Sequence, residues 1–311
     1  MSPPSGSSEP FDFDAFWDLE HPSDTEKRFQ EILSQLEDSA QVDASYRIEL
    51  LTQLARAQGL QNRFDEAKVN LDRASILIND PDKTHRLVSK IRHFLELGRI
   101  PILQRIPSQA RPPVVEAWTL ASNAGLDYYS IDAAQMLASI EPQKVKKDWI
   151  LKALSLAEGS NQPQSKEWLG SLYASLAWLY YDVRQFTTAL ENFQKTLSEV
   201  TQQGKARKII TAKWAVAKTL RALNRLEEAF DMQQVLLAQL NQLNVKDGYV
   251  YEELAECLQS LKRGPEAQVY FDLAYHELKT DLWLTDNHPA RIKRLKEMGK
   301  SKDHVERAKP V

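Results

Sequence analysis

One spacing constrains this sequence more than any other feature. With Tyr173 as position zero, Leu176 and Ala177 follow at +3 and +4, Tyr180 at +7, Phe186 at +13, Ala189 at +16, Phe193 at +20 and Leu197 at +24. The template fits again from Lys213, with Val216, Ala217, Leu220, Leu226, Ala229, Gln233 and Leu237. From Tyr251 it finds Leu254, Ala255, Leu258, Gly264, Ala267, Phe271 and Tyr275. From Leu51 it finds Leu54, Ala55, Gln58, Phe64, Ala67, Leu71 and Ser75. A weaker copy starts at Ala117, with Leu120, Ala121, Ala124, Ser130, Ala133 and Leu137. Around these positions helical patterns of about 12 to 18 residues recur in pairs joined by short links, as antiparallel neighbours require. A pair that is apolar on more than one face cannot bury itself alone, so stacking on the next pair must supply the core.

Composition agrees with an all-α chain. There are only 10 glycines among 311 residues, and no alternating Val/Ile/Thr runs bounded by turn pairs suggest a sheet. Forty basic against 43 acidic residues leave a net charge of -3, which removes the bulk electrostatic argument for nucleic acid or an anionic membrane. No segment reaches the roughly 18 apolar residues of a membrane span. A single cysteine, Cys257, rules out an intramolecular disulfide and fits a reducing compartment. The expectation is a cytoplasmic protein, with nuclear residence also compatible.

The paired pattern resembles the tetratricopeptide repeat, in which small residues at the two alanine positions let helices A and B of each unit approach closely. The resemblance covers about two thirds of the chain. Its anchoring alanines Ala189, Ala229 and Ala267 lie 40 and 38 residues apart rather than the 34 of that family, so helices or links are longer. It implies an α-α superhelix, a solenoid of about five to seven helical hairpins. The expected organisation is an extended acidic segment over 1–22, one unit within 23–98, an irregular middle over 99–165, a regular block of three units over 166–282, and a capping helix with a basic tail over 283–311. In the middle, prolines 101, 107, 112 and 113 read as a break in the helical run. At the start, Ser23 and Glu26 read as a capping box for an opening helix.

The resemblance also implies that A helices line a concave groove, so binding residues come from A-helix positions not used in packing. These are Trp178, Tyr181 and Asp182 on the first unit of the block, Trp214, Lys218 and Arg221 on the second, and Tyr249, Glu252, Glu256 and Gln259 on the third. They would form an aromatic floor with both charge signs, suited to an extended or helical peptide. The competing reading is that the two tryptophans only contact the neighbouring unit. Family members that bind chaperone tails clamp a terminal carboxylate with lysine, asparagine and arginine. The matching sites here are Ala174, Trp178, Ala215, Tyr249 and Glu253, none basic or an amide, so a chaperone C-terminal tail is not the expected partner.

Outside the repeats, FDFDAFWDLE at 11 to 20 alternates acid with aromatic, and residues 9–38 carry a net charge of -8 against +5 over 289–309. The acidic segment is either a docking motif, for a partner or for the chain's own groove, or an extension packing Phe13, Phe16 and Trp17 over the first repeat. The simpler reading is packing. The terminal segment DNHPARIKRLKEMG reads as a cap with Ile292, Leu295 and Met298 inward and Arg291, Lys293, Arg294 and Lys296 mostly on a solvated outer face. The basic runs KVKK at 144–147 and KARK at 205–208 also read as solvated faces. Glu252, Glu253 and Glu256 read as a solvent-facing acidic helix rather than an acid/base pair. Cys257 reads as a small apolar filler, and His85 and His93, two turns apart, are too distant to share a metal. No GxGxxG, GxxxxGK, HExxH or GxSxG motif occurs, so no catalytic residue, metal site or cofactor is assigned. The expected function is a non-catalytic scaffold or adaptor holding a protein or peptide segment. The alternative is an enzyme or small-molecule receptor with a pocket between the irregular middle and the regular block, and self-association through exposed repeat faces is a third option.

Overall fold

The structure, a computed structural model, describes residues 13–18, 21–37, 43–81 and 86–300. The Ser/Pro/Gly-rich stretch 1–10, His85 and residues 301–311 lie outside the described residues. Among the described residues the chain is all-α and has no strand. It divides into two compact units, Met1–Trp168 and Leu169–Val311.

In the first unit a 3-10 turn at Asp14–Phe16 precedes α1 (Pro22–Glu37). Three hairpins follow: α2 (Ala44–Leu60) with α3 (Phe64–Asn79), α4 (Leu87–Leu103) with α5 (Pro107–Asn123), and α6 (Asp127–Ile140) with α7 (Gln143–Gly159). A single turn, α8 (Pro163–Lys166), closes it. Along this unit α2 packs on α4 and α4 on α6. The second unit also holds three hairpins: α9 (Leu169–Asp182) with α10 (Phe186–Gln202), α11 (Ala206–Ala222) with α12 (Leu226–Gln242), and α13 (Gly248–Ser260) with α14 (Gly264–Leu278). Two short helices end it, α15 (Leu282–Asn287) and α16 (Pro289–Gly299).

The sequence template maps onto these hairpins. Ala55 and Ala67, Ala177 and Ala189, Ala217 and Ala229, and Ala255 and Ala267 are all fully buried, one of each pair on each helix of its hairpin. Their small side chains bring the two helix axes close, and Leu71, Phe193 and Phe271 at +20 fill the adjoining space. The links are alike as well. At +11 stands a residue in the left-handed region, Asn62, Arg184, Asn224 or Lys262, with φ of 60 to 61°. The N–H of the next residue then returns to the carbonyl at +7, as in Arg63 to Gln58 at 2.9 Å and Arg263 to Leu258 at 2.8 Å. This six-to-one bond is the Schellman closure of a helix end, and in these four hairpins it turns the A helix straight into its B helix.

That turn exposes a repeat the proline run had concealed. Arg105 has φ of 62°, and Ile106 N–H donates to Pro101 O at 2.8 Å. Counted from Phe94, the template finds Leu97, Gly98, Pro101, Pro107, Ala110, Val114 and Trp118. The prolines therefore do not break the helical run. Pro101 lies in the last turn of α4, Pro107 opens α5 where a helix has no N–H partner to lose, and Pro112 and Pro113 lie inside α5. Gly98 takes the small-residue position: a Cβ there would meet Val114 Cγ2 at 2.2 Å and the Ala110 carbonyl at 3.2 Å. The copy read from Ala117 is out of register, because Ala117 and Ala121 sit on α5 and Ala133 on α6, the next hairpin.

The capping box at Ser23 and Glu26 does not form. Helix α1 begins at Pro22, and the buried Glu26 carboxylate accepts hydrogen bonds from Gln58 at 3.1 Å, Gln61 at 2.7 Å and Arg63 at 2.6 and 2.9 Å, latching α1 onto the first hairpin. Ahead of it Phe13 is buried against Phe29 and Tyr46, Phe16 lies near Phe29, and Trp17 packs on Phe29.

Candidate functional site

Helices α9, α11 and α13 are the A helices of the second unit, and each carries a candidate aromatic whose ring meets that of the next. Trp178 stands 5.9 Å from Trp214, and Trp214 stands 6.1 Å from Tyr249, ring centre to ring centre. Tyr181 extends the row at 5.4 Å from Trp178. All four rings are half-buried. On the inner side Trp178 rests on Phe193 at 4.8 Å and Tyr181 on Phe186 at 5.1 Å, so each of these rings also roofs the hairpin core. The tryptophans do contact the neighbouring hairpin, and they keep part of their surface in solvent while doing so.

Two polar atoms of the row are already engaged. Trp214 Nε1 donates to the Tyr249 carbonyl at 3.1 Å, and Tyr249 Oη donates to Asp281 Oδ2 at 2.9 Å. Burial and then that hydrogen bond raise the Tyr249 pKa, while the Leu284 N–H and the Tyr249 hydroxyl hold Asp281 below the usual carboxylate range.

The charged candidates form a second layer, and here two expectations are corrected. Glu252 and Glu253 are buried rather than solvent-facing. Arg221 grips Glu253 with Nε on Oε1 and Nη2 on Oε2, the latter at 3.1 Å, and Lys218 Nζ lies 3.5 Å from Glu253 Oε2. From the other side Arg291 bonds the buried Glu252, so it turns inward rather than onto a solvated outer face, while Arg294 bonds Glu256 and stays exposed. The physical reason is desolvation: carboxylates buried on α13 require guanidinium partners, and α16 supplies them. Burial by itself lowers the Arg221 pKa, but the hydrogen bonds and charge of Glu253 outweigh it and the net direction is upward. Lys218 also lies over the Trp214 ring at 5.3 Å and Arg291 over Tyr249 at 5.4 Å, which ties the two layers together.

The structure therefore brings Trp178, Tyr181, Trp214 and Tyr249 into one row, places Lys218, Arg221 and Glu252 in ion pairs that involve a buried carboxylate beside it, and pairs Glu256 with Arg294 at the surface. Asp182 and Gln259 are exposed. Arg291, Arg294 and Asp281 were missed as members of the site. A spacing signal for the arginines existed: Arg291 and Arg294 follow Glu253 and Glu256 by 38 residues, as Ala267 follows Ala229, so α16 repeats the A-helix register. Cys257 is fully buried and burial pushes its thiol up to about 12, which keeps it protonated and makes it the expected filler. Among the described residues no helix is long and apolar enough to cross a membrane.

No protein-family model matches the chain, and no curated protein does. Solved structures do. A signal transduction ATPase with numerous domains (STAND) protein with a tetratricopeptide repeat sensor, from Pyrococcus horikoshii, matches with a TM-score of 0.68 at 15% identity, covering 91% of this chain. This chain spans 44% of that one's length. The TPR2AB domain of yeast Sti1, in its pHSP90 complex, matches with a TM-score of 0.34 at 11% identity, covering 93% of this chain and 96% of that one. The hairpin register, the buried alanines and the first of these likenesses agree: in its fold this chain is a tetratricopeptide-repeat-like helical repeat protein.

Proposed function

We propose that the protein is a non-catalytic interaction scaffold whose second unit holds a peptide or protein segment along the A-helix aromatic row. The observation that carries this reading is the line of half-buried rings Tyr181, Trp178, Trp214 and Tyr249 across three successive A helices. Partly exposed aromatic rings held rigid from beneath give contact area at little entropic cost, the property that makes such residues dominate binding energy. Because the indole of Trp214 and the hydroxyl of Tyr249 are satisfied internally, these two rings select apolar and aromatic side chains. Asp182 at the open end favours a basic residue next to them. A free carboxylate is disfavoured beside Glu253, whose cationic partners are already engaged.

Peptides selected from a displayed random library against the full chain provide the test. Hydrogen exchange on their complexes should show added protection in α9, α11 and α13. Protection confined to α10, α12 and α14 would place binding on the opposite helices and refute the proposal.

A further inference from the structure

The first hairpin carries a filled site at two template positions that also bear candidate residues in the second unit. In the template, positions +2 and +5 of the A helices hold Trp178 at +5 of α9, Lys218 at +5 of α11, and Glu253 and Glu256 at +2 and +5 of α13. On α2 the same positions are Gln53 and Arg56. Both are engaged by Trp17: its Nε1 donates to Gln53 Oε1 at 2.7 Å, and the Arg56 guanidinium lies over its ring at 4.9 Å. Gln53 is 1% exposed, so its amide is a buried polar group with an indole N–H as its partner. About two helical turns toward the α2 N-terminus, Tyr46 takes the ring of Phe13 at 5.1 Å, and Phe29 of α1 stands 6.1 Å from Phe13 and 5.8 Å from Trp17.

We propose that this face of α1 and α2 is a second peptide-binding site, specific for a partner segment that presents two aromatic side chains four residues apart, the second a tryptophan, and that Phe13–Asp18 occupy it in cis. Two features separate such an occupant from ordinary core. It forms a single 3-10 turn rather than a helix, with Phe16 N–H on Phe13 O at 3.2 Å, Asp18 N–H donating to Thr25 Oγ1 at 2.9 Å and the Thr25 hydroxyl donating to Asp18 O at 3.2 Å, and the Phe16 and Trp17 side chains stay half-exposed. The contacts are also those of recognition rather than filling: a directed N–H to a buried amide, and a cation over an indole, the ring that attracts cations most strongly. Phenylalanine or leucine at position 17 would leave the Gln53 oxygen unpaired, which gives the site its preference. The short tether sets a millimolar effective concentration for the cis segment, so a partner must bind well or be locally concentrated to displace it.

The test uses a fluorescent peptide of sequence PFDFDAFWD and the full chain. With Phe13→Ala and Trp17→Ala in the chain, the peptide should bind at least tenfold more tightly than to the unmodified chain. Adding Gln53→Ala and Arg56→Ala should remove that gain, and replacing the peptide's tryptophan by alanine should abolish binding. Trp178→Ala with Trp214→Ala should leave it unchanged, which separates this site from the one in the second unit. Equal affinity for the emptied and unmodified chains, or no binding to an emptied chain that keeps its helical circular dichroism, overturns the proposal. Should the double variant lose that signal, excess peptide on the unmodified chain must speed hydrogen exchange at Phe16–Asp18, and unchanged exchange is equally fatal. Concentration-dependent pairing of chains in place of peptide binding would assign the face to a second copy and refute the partner proposed here.

Discussion

At the scale of single residues, the repeat template is a stability map, and its exceptions are the informative positions. Gln233 stands at +20 of the second hairpin in the second unit, where its counterparts are Phe193 and Phe271. It is fully buried, and neither Oε1 nor Nε2 has a hydrogen-bond partner among the described residues. A buried amide without partners costs about 1–3 kcal/mol, so Gln233→Leu should stabilise the chain by about 1–2 kcal/mol, read as a higher denaturant midpoint with unchanged slope. His93 is the matching case for charge. It is buried with Nε2 2.9 Å from Ser75 Oγ, and burial pushes its pKa down to about 4 against the opposing pull of Asp72. The unfolded chain therefore takes up a proton near pH 6.5 while the folded chain does not. Stability is full above that pH, falls by up to about 3 kcal/mol as pH drops towards 4, and levels off below. His93→Gln should flatten this part of the pH profile in denaturation measurements.

At the scale of elements, the hairpin turn explains both what the sequence revealed and what it hid. Alanines 12 residues apart could be recognised without a structure because they recur with the same flanking residues. The α4–α5 hairpin was concealed because its small position is Gly98 and its turn is flanked by Pro101 and Pro107, residue types that usually end helices rather than join them. A left-handed residue at +11 is the shared device, and at three of the five turns it is an arginine or lysine, whose Cβ makes that conformation cost about 1–2 kcal/mol. Arg184→Gly should accordingly raise stability by about 0.5–1 kcal/mol even though glycine loosens the unfolded chain, and thermal unfolding checks it. Ion pairs were not legible in the same way. The residue types on α11, α13 and α16 suggested an open groove of mixed charge, but pairing depends on which side chains burial brings face to face across about 32 to 39 residues of sequence. The same holds for Trp17, whose partners Gln53 and Arg56 carried no local mark of their role.

At the scale of the molecule, each unit is a stack of three hairpins with an added element at one end, the Phe13–Glu37 region on the first and α15–α16 on the second. Stacked repeats bury their apolar faces on each other and leave A-helix side chains at the edge of the core, where ring stacking and ion pairing can hold them rigid without covering them. That arrangement leaves the aromatic row of the second unit half-exposed on its A helices. The most direct measurement is the dissociation constant of a library-selected peptide for the full chain and for the chain carrying Trp178→Ala and Trp214→Ala, with helicity checked by circular dichroism. A loss of at least tenfold in affinity with helicity retained is the expected result. Unchanged affinity in a folded variant would contradict the assignment of the row as the binding surface.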